Sequence, residues 1–110
     1  MNYEEVKDVS GFLVDDVLKL KIEVEHDIAT RIRINANASN LKDILSNKLE
    51  SLSTIMATED YYEGNRCTFI YYDGVAVIKK DNDTMKTFCF NEDMKNKFRR
   101  LITMVLLQLY

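Results

Sequence analysis

The dipeptide Asp73-Gly74 constrains this chain more than any other feature. It stands between two runs rich in β-branched and aromatic residues, Arg66–Tyr72 and Val75–Lys80. A two-residue hairpin loop of type I′ needs positive φ at both central residues, and Asp-Gly meets that need at little cost. The two runs are therefore predicted to be antiparallel neighbours with Tyr72 opposite Val75. In that register Phe69, Tyr71, Ala76 and Ile78 share one face, and Ile70, Tyr72, Val75 and Val77 share the other. Both faces are apolar, a pattern usual for strands central in their sheet. A further turn is predicted at Asp81-Asn82-Asp83 and a further strand over Met85–Phe90.

Two more strands follow from alternation. Over residues 17–24, Leu18, Leu20, Ile22 and Val24 point one way and Lys19, Lys21 and Glu23 the other. Residues 30–36 repeat the pattern with Ile32, Ile34 and Ala36 inward, and Glu25-His26-Asp27 forms the turn between. A register pairing Ile22 with Ile32 also sets Glu23 against Arg31, a favourable cross-strand pair. A slip of one residue would turn the apolar set into water, so the parity is fixed.

Helical periodicity appears three times. Residues 92–109 place Met94, Phe98, Leu101, Ile102, Val105, Leu106 and Leu109 on one face, behind an Asn91 cap and an acidic first turn of Glu92 and Asp93. Residues 40–56 carry Leu41, Ile44, Leu45, Leu49, Leu52, Ile55 and Met56 as one stripe, with Asn40 as N-cap. Residues 2–16 read as a short helix through Tyr3, Val6, Val9 or Ser10, Leu13 and Val17. Gly11 weakens that reading, and a strand from Phe12 to Val14 is its alternative.

The predicted order is thus α-β-β-α-β-β-β-α. It points to a single α+β domain over residues 1–110, two-layered, with one antiparallel sheet of about five strands covered by helices. A length of 110 residues and a 46% hydrophobic content support one core without staples. Roadblock, longin and profilin scaffolds have a similar order of elements. The likeness is one of topology and implies no function.

Catalytic chemistry finds little footing. His26 is the only histidine, and no nucleophile is paired with it locally. The two cysteines, Cys67 and Cys89, are too few for a disulfide framework and far from metal-ligand spacing. The hairpin registers set them on opposite faces, so they are expected to be reduced and unpaired. Asp81-Asn82-Asp83 has calcium-like residues but lacks the glycine and closing glutamate of an EF-hand loop. The three glycines are isolated, so no phosphate-binding loop exists. The expectation is no enzyme, no cofactor and no metal.

Charge and apolar patches offer the remaining clues. The net charge is −3. Residues 1–16 hold five acids against Lys7, whereas residues 79–100 hold seven bases against four acids. Lys95, Lys97, Arg99 and Arg100 would form a basic helix face for nucleic acid or an acidic partner. The acidic overall balance makes nucleic acid the weaker expectation. Val105, Leu106, Leu107, Leu109 and Tyr110 leave the helix end apolar nearly all round, which suggests a subunit interface. The acidic N-terminus lacks the pattern of a secretory leader, and no apolar run approaches membrane length, so a cytoplasmic protein is expected. Proline is absent and Asn, Lys, Asp and Ile are abundant, a composition expected of phage, viral or mobile-element coding. The function expected is a non-enzymatic protein-binding module (an adaptor, inhibitor or immunity-type protein) with a protein partner or a second copy. The alternative is a small RNA- or DNA-binding module using the basic face of the last helix.

Overall fold

The computed structural model describes residues 3–25, 27–35, 41–42, 45, 54–58 and 66–109. Side chains are described for all of these except 27–31, 34–35, 54–58 and 66–67. Seven strands form a closed barrel: β1 (Glu4–Val14), β2 (Val17–Val24), β3 (Asp27–Asn35), β4 (Thr54–Thr58), β5 (Arg66–Tyr72), β6 (Val75–Lys80) and β7 (Asp83–Cys89). Each strand pairs antiparallel with the next. A short parallel pairing of Glu4 with Phe88 and Glu5 with Cys89 closes the barrel between β1 and β7. The helix α1 (Glu92–Gln108) follows. Leu41, Lys42 and Leu45 are helical. Among the described residues no helix is long and apolar enough to cross a membrane.

The turns are made by residues in left-handed backbone. Asp15 and Asp16 join β1 to β2, Asp73 and Gly74 join β5 to β6, and Asp81 and Asn82 join β6 to β7, all with positive φ. Such two-residue loops match the right-handed twist of the flanking strands. In a meander the connections alternate between barrel ends. The turns at 15–16 and 73–74 and the exit of β7 therefore share one end, where α1 begins.

One core fills the barrel. Leu18, Leu20, Ile22, Ile32, Phe69, Ile78 and Phe88 are fully enclosed, and α1 lays Phe98, Ile102, Val105 and Leu106 against them. Tyr71, Phe90 and Phe98 stack edge-on and tilted with ring centroids 4.7–5.5 Å apart. Each such contact contributes about 0.5–1.5 kcal/mol beyond burial. Together they fasten the first half of α1 to the barrel end. The helix start is set by Asn91, whose side chain accepts the Met94 N–H at 2.9 Å.

The α+β class is as expected, but the arrangement differs in several places. Residues 2–16 contain strand β1 rather than a helix. Val6 and Val9 are both buried although three residues apart, because a bulge between Val6 and Asp8 inserts one residue and shifts the parity. That spacing imitates a helical repeat. With a strand in place of the leading helix, the similarity to roadblock, longin and profilin scaffolds ends. The sheet has seven strands rather than about five. Ile55 and Met56 belong to β4, not to the end of a helix over 40–56, and most of that predicted helix, with its Asn40 cap, lies outside the described residues. The β2–β3 register sets Leu20 against Ile32 and Lys21 against Arg31, two residues from the expected alignment but of the same parity. The predicted turn residue His26 lies outside the described residues.

The central hairpins follow expectation. Tyr72 faces Val75, and Val75 faces Cys89. The turn is predicted over Asp81-Asn82-Asp83, whereas Asp83 pairs with Lys80 and the loop is Asp81-Asn82. A bulge between Ile78 and Lys79 restores the same alignment. Cys89 is a free thiol, and the side chain of Cys67 lies outside the described ones.

Candidate functional site

The basic residues of α1 are distributed around the helix and mostly neutralised. Lys95 reaches Asp73 at 2.7 Å and Glu92 at 3.1 Å. The hydrogen bond to Asp73, then that to Glu92, holds its ammonium above the usual lysine range. Lys97 is bonded to Asp8 of β1. That bond is the main cause of an Asp8 carboxyl held below its ordinary value, against a smaller opposing effect of burial. Asp8 stands directly opposite Glu23, an unfavourable like-charge pair. Lys97 on Asp8 and Lys21 on Glu23, at 3.3 Å, offset it. Arg99 donates through Nη1 to the Leu45 carbonyl at 3.2 Å, and Arg100 is exposed. Of the four predicted basic residues, two are thus tied to carboxylates and one to the backbone.

A cavity of about 180 Å³ opens among Leu45, the β5–β6 turn and the first half of α1. Tyr71 and Phe98 form its apolar wall, and Asp73, Glu92, Lys95 and Arg99 its charged one. Burial pushes the Tyr71 phenol up, with a backbone hydrogen bond from Gly74 working in the other direction. Tyr71 therefore stays protonated at neutral pH and acts as a hydrogen-bonding group, not a base. Lys95, kept charged, is no nucleophile. The cavity is smaller than the ~300 Å³ at which small-molecule sites begin. Among the described residues no group of His, Cys, Asp or Glu is placed to hold a metal ion.

The predicted apolar interface is divided by the fold. Val105 and Leu106 are buried in the core, and Leu109 is partly buried against it. Leu107 is 71% exposed, and Tyr110 lies outside the described residues. Met104, one turn before Gln108, is also exposed. The helix end therefore offers single apolar side chains rather than the full set expected from its sequence.

A broader apolar surface lies on the outside of β5, β6, β7 and the start of β1. Register places Tyr72, Val75, Cys89 and Glu5 in one row across four strands. Ile70, Val77 and Thr87 make the next row on the same face. Tyr3, two residues before Glu5, and Met85, two before Thr87, extend it. Tyr3, Tyr72, Val75 and Met85 are 57%, 47%, 42% and 45% exposed, so half of the exposed large apolar side chains among the described residues gather here. No protein family model matches the sequence, and no curated protein or solved structure matches it either.

The two apolar faces of the β5–β6 hairpin mark strands central in their sheet, as observed. The strands are central in their barrel, yet a barrel has only one inside. Phe69, Tyr71, Ala76 and Ile78 take it, and the other face is left half-exposed. The two-sided apolar pattern of the hairpin is the sequence signal of this surface.

Proposed function

We propose that this chain is a non-enzymatic protein-binding module of adaptor, inhibitor or immunity type. The observation that carries the reading is the outward apolar face of β5, β6 and β7, where Tyr72, Val75 and Met85 stand in solvent. Apolar side chains gathered on one face mark interaction sites far better than scattered ones do. Tyrosine is also among the residues that concentrate binding energy in protein interfaces. The cavity supports no catalytic reading, since its described lining lacks a nucleophile paired with a base.

The alternative, nucleic-acid binding through α1, draws support from Arg100 and from the guanidinium of Arg99. It loses support from the pairing of Lys95 and Lys97 with carboxylates, because phosphate binding depends on unneutralised cations. The test is capture from source-cell extract by immobilised protein, with and without nuclease. Retention of a partner that survives nuclease and is lost in a Tyr72→Lys, Val75→Lys variant is expected. Nuclease-sensitive capture that Arg99→Ala with Arg100→Ala abolishes would replace this reading with the alternative.

A further inference from the structure

We infer that the outer wall of the barrel over β1, β2 and β3 binds single-stranded nucleic acid, with phosphates on a row of cations and a base stacked on Phe12. This wall is distinct from the apolar face of β5, β6 and β7, so the inference stands apart from the protein-binding reading.

Register builds the surface. Phe12, Lys19, Arg33, Ala57 and Arg66 pair in turn across five strands. Ser10, Lys21 and Arg31 make the row on one side, and Val14, Val17 and Asn35 the row on the other. Leu18, Leu20 and Ile32 are buried, so the alternate residues Lys19 and Arg33 face out, and both are exposed. As paired, these three rows hold five cations and no carboxylate. Lys21 is engaged with Glu23 at 3.3 Å, whereas Lys19 has no carboxylate partner among the described residues. Asp8 and Glu23 lie one row further along, held by Lys97 and Lys21, and the turn at Asp15 and Asp16 bounds the other end.

A net charge of −3 does not oppose this. At physiological salt a charge is felt over about 8 Å, so a polyanion responds to the rows rather than to the total. Five strands about 4.8 Å apart extend the central row over about 19 Å. Cations repeated over that length suit a polymer that carries a negative charge on every unit. The acidic residues beyond the rows direct such a polymer across the strands rather than along them.

Phe12 selects the kind of polyanion. It is 61% exposed and directly opposite Lys19. An aromatic ring held in water beside cations is a platform for an unpaired base, and every base has a face that stacks on it. A duplex keeps its bases stacked on one another and leaves the ring without a partner.

Anisotropy of a labelled homopolymer of about 20 nucleotides, with DNA and RNA in separate arms, titrated with the full chain tests this. Binding near 10 μM in about 50 mM salt is expected, weakening about 50-fold by about 200 mM, the slope for about four phosphates on a single strand. A tighter RNA arm would add contacts to the 2′-hydroxyl, and equal arms would assign the site to phosphate and base alone. Lys19→Ala with Arg33→Ala should weaken binding at least about tenfold and flatten the salt slope by about 1.4. Phe12→Ala should weaken it about fivefold or more and leave the slope unchanged. Both variants should keep the wild-type circular dichroism spectrum, and Arg99→Ala with Arg100→Ala on α1 should bind as wild type does. Ultraviolet crosslinking of the unaltered chain to a photoreactive oligonucleotide should mark the peptide that contains Phe12. The inference is overturned by absent binding at about 1 mM chain in about 50 mM salt, or by binding that only the α1 variant abolishes. Equal affinity for a duplex that ignores Phe12→Ala, or adsorption to anionic lipid vesicles without binding to oligonucleotide, overturns it as well.

Discussion

Replacing Gly74 by alanine tests how the hairpin at the centre of the sheet is tied to the helix. Gly74 has φ of +90°, a conformation that L-residues rarely adopt. Left-handed backbone costs an alanine about 1–2 kcal/mol. The added Cβ would also lie 3.1 Å from the Phe90 carbonyl oxygen and 2.9 Å from Lys95 Cδ. Neither neighbour gives way freely. Phe90 is held by its own N–H bond to the Gly74 carbonyl at 2.7 Å, and Lys95 is tied to Asp73 and Glu92. Crowding of this kind adds about 1–3 kcal/mol. Alanine recovers about 0.4–1 kcal/mol by restricting the unfolded chain. The net expected loss is about 2–3 kcal/mol, or a fall in Tm of about 10–20 °C for a domain near this size. Urea unfolding followed by far-ultraviolet circular dichroism measures it as a lower midpoint with unchanged slope. Gly74→Asn separates the two causes, since asparagine tolerates positive φ but carries the same Cβ; it should fall between wild type and alanine. An alanine variant within about 0.5 kcal/mol of wild type would refute both the backbone argument and the close approach to Phe90.

Two further outcomes follow from single contacts. Asn91→Ala removes the acceptor for the Met94 N–H and should cost about 1 kcal/mol, with Asn91→Ser recovering most of it; equal urea midpoints for all three would show the cap to be unimportant. The Asp8 carboxyl is held low by Lys97, so its contribution is present above the ordinary carboxylate range and is lost as pH falls through the lowered value. Lys97→Met should therefore unfold at lower urea than wild type at about pH 7 in low salt, and the gap should close as the pH drops below about 3; a gap that stays constant across that range would detach the Asp8–Lys97 bond from stability.

The parts of the fold legible in the sequence are those whose signals are local. Asp73-Gly74 fixes its hairpin because the turn chemistry and the register coincide. The strand at 17–24 is an unbroken alternation, and α1 carries its cap, its acidic first turn and its stripe within its own residues. That stripe places Phe98, Ile102, Val105 and Leu106 on the core side, where they are buried. What stayed hidden depends on distant partners. The bulge after Val6 puts two buried valines three apart, and only pairing with β2 reveals them as strand residues. Ile55 and Met56 continue a helical stripe in sequence, yet the neighbouring strands β3 and β5 draw them into the sheet. The apolar end of α1 is divided between core and surface, because no sequence pattern tells how much of a helix a barrel can enclose. The exposed face was visible as composition, but its exposure depends on closure of the sheet.

That closure joins residues far apart in sequence. Glu4 meets Lys86 across 82 positions, and Asp8 meets Lys97 across 89. Ordering a loop of that length before any contact rewards it makes such pairings slow to form. During synthesis β1 and β2 can fold against each other early, but the partner for the other edge of β1 is encoded only after β2 to β6. At about 5–20 residues per second, that edge waits several seconds for β7 and α1 to emerge. Its unpaired N–H and C=O groups can template association with neighbouring nascent chains throughout that interval. Changes that delay or loosen residues 83–108 are therefore expected to surface as aggregation during synthesis before they lower the stability of the finished barrel.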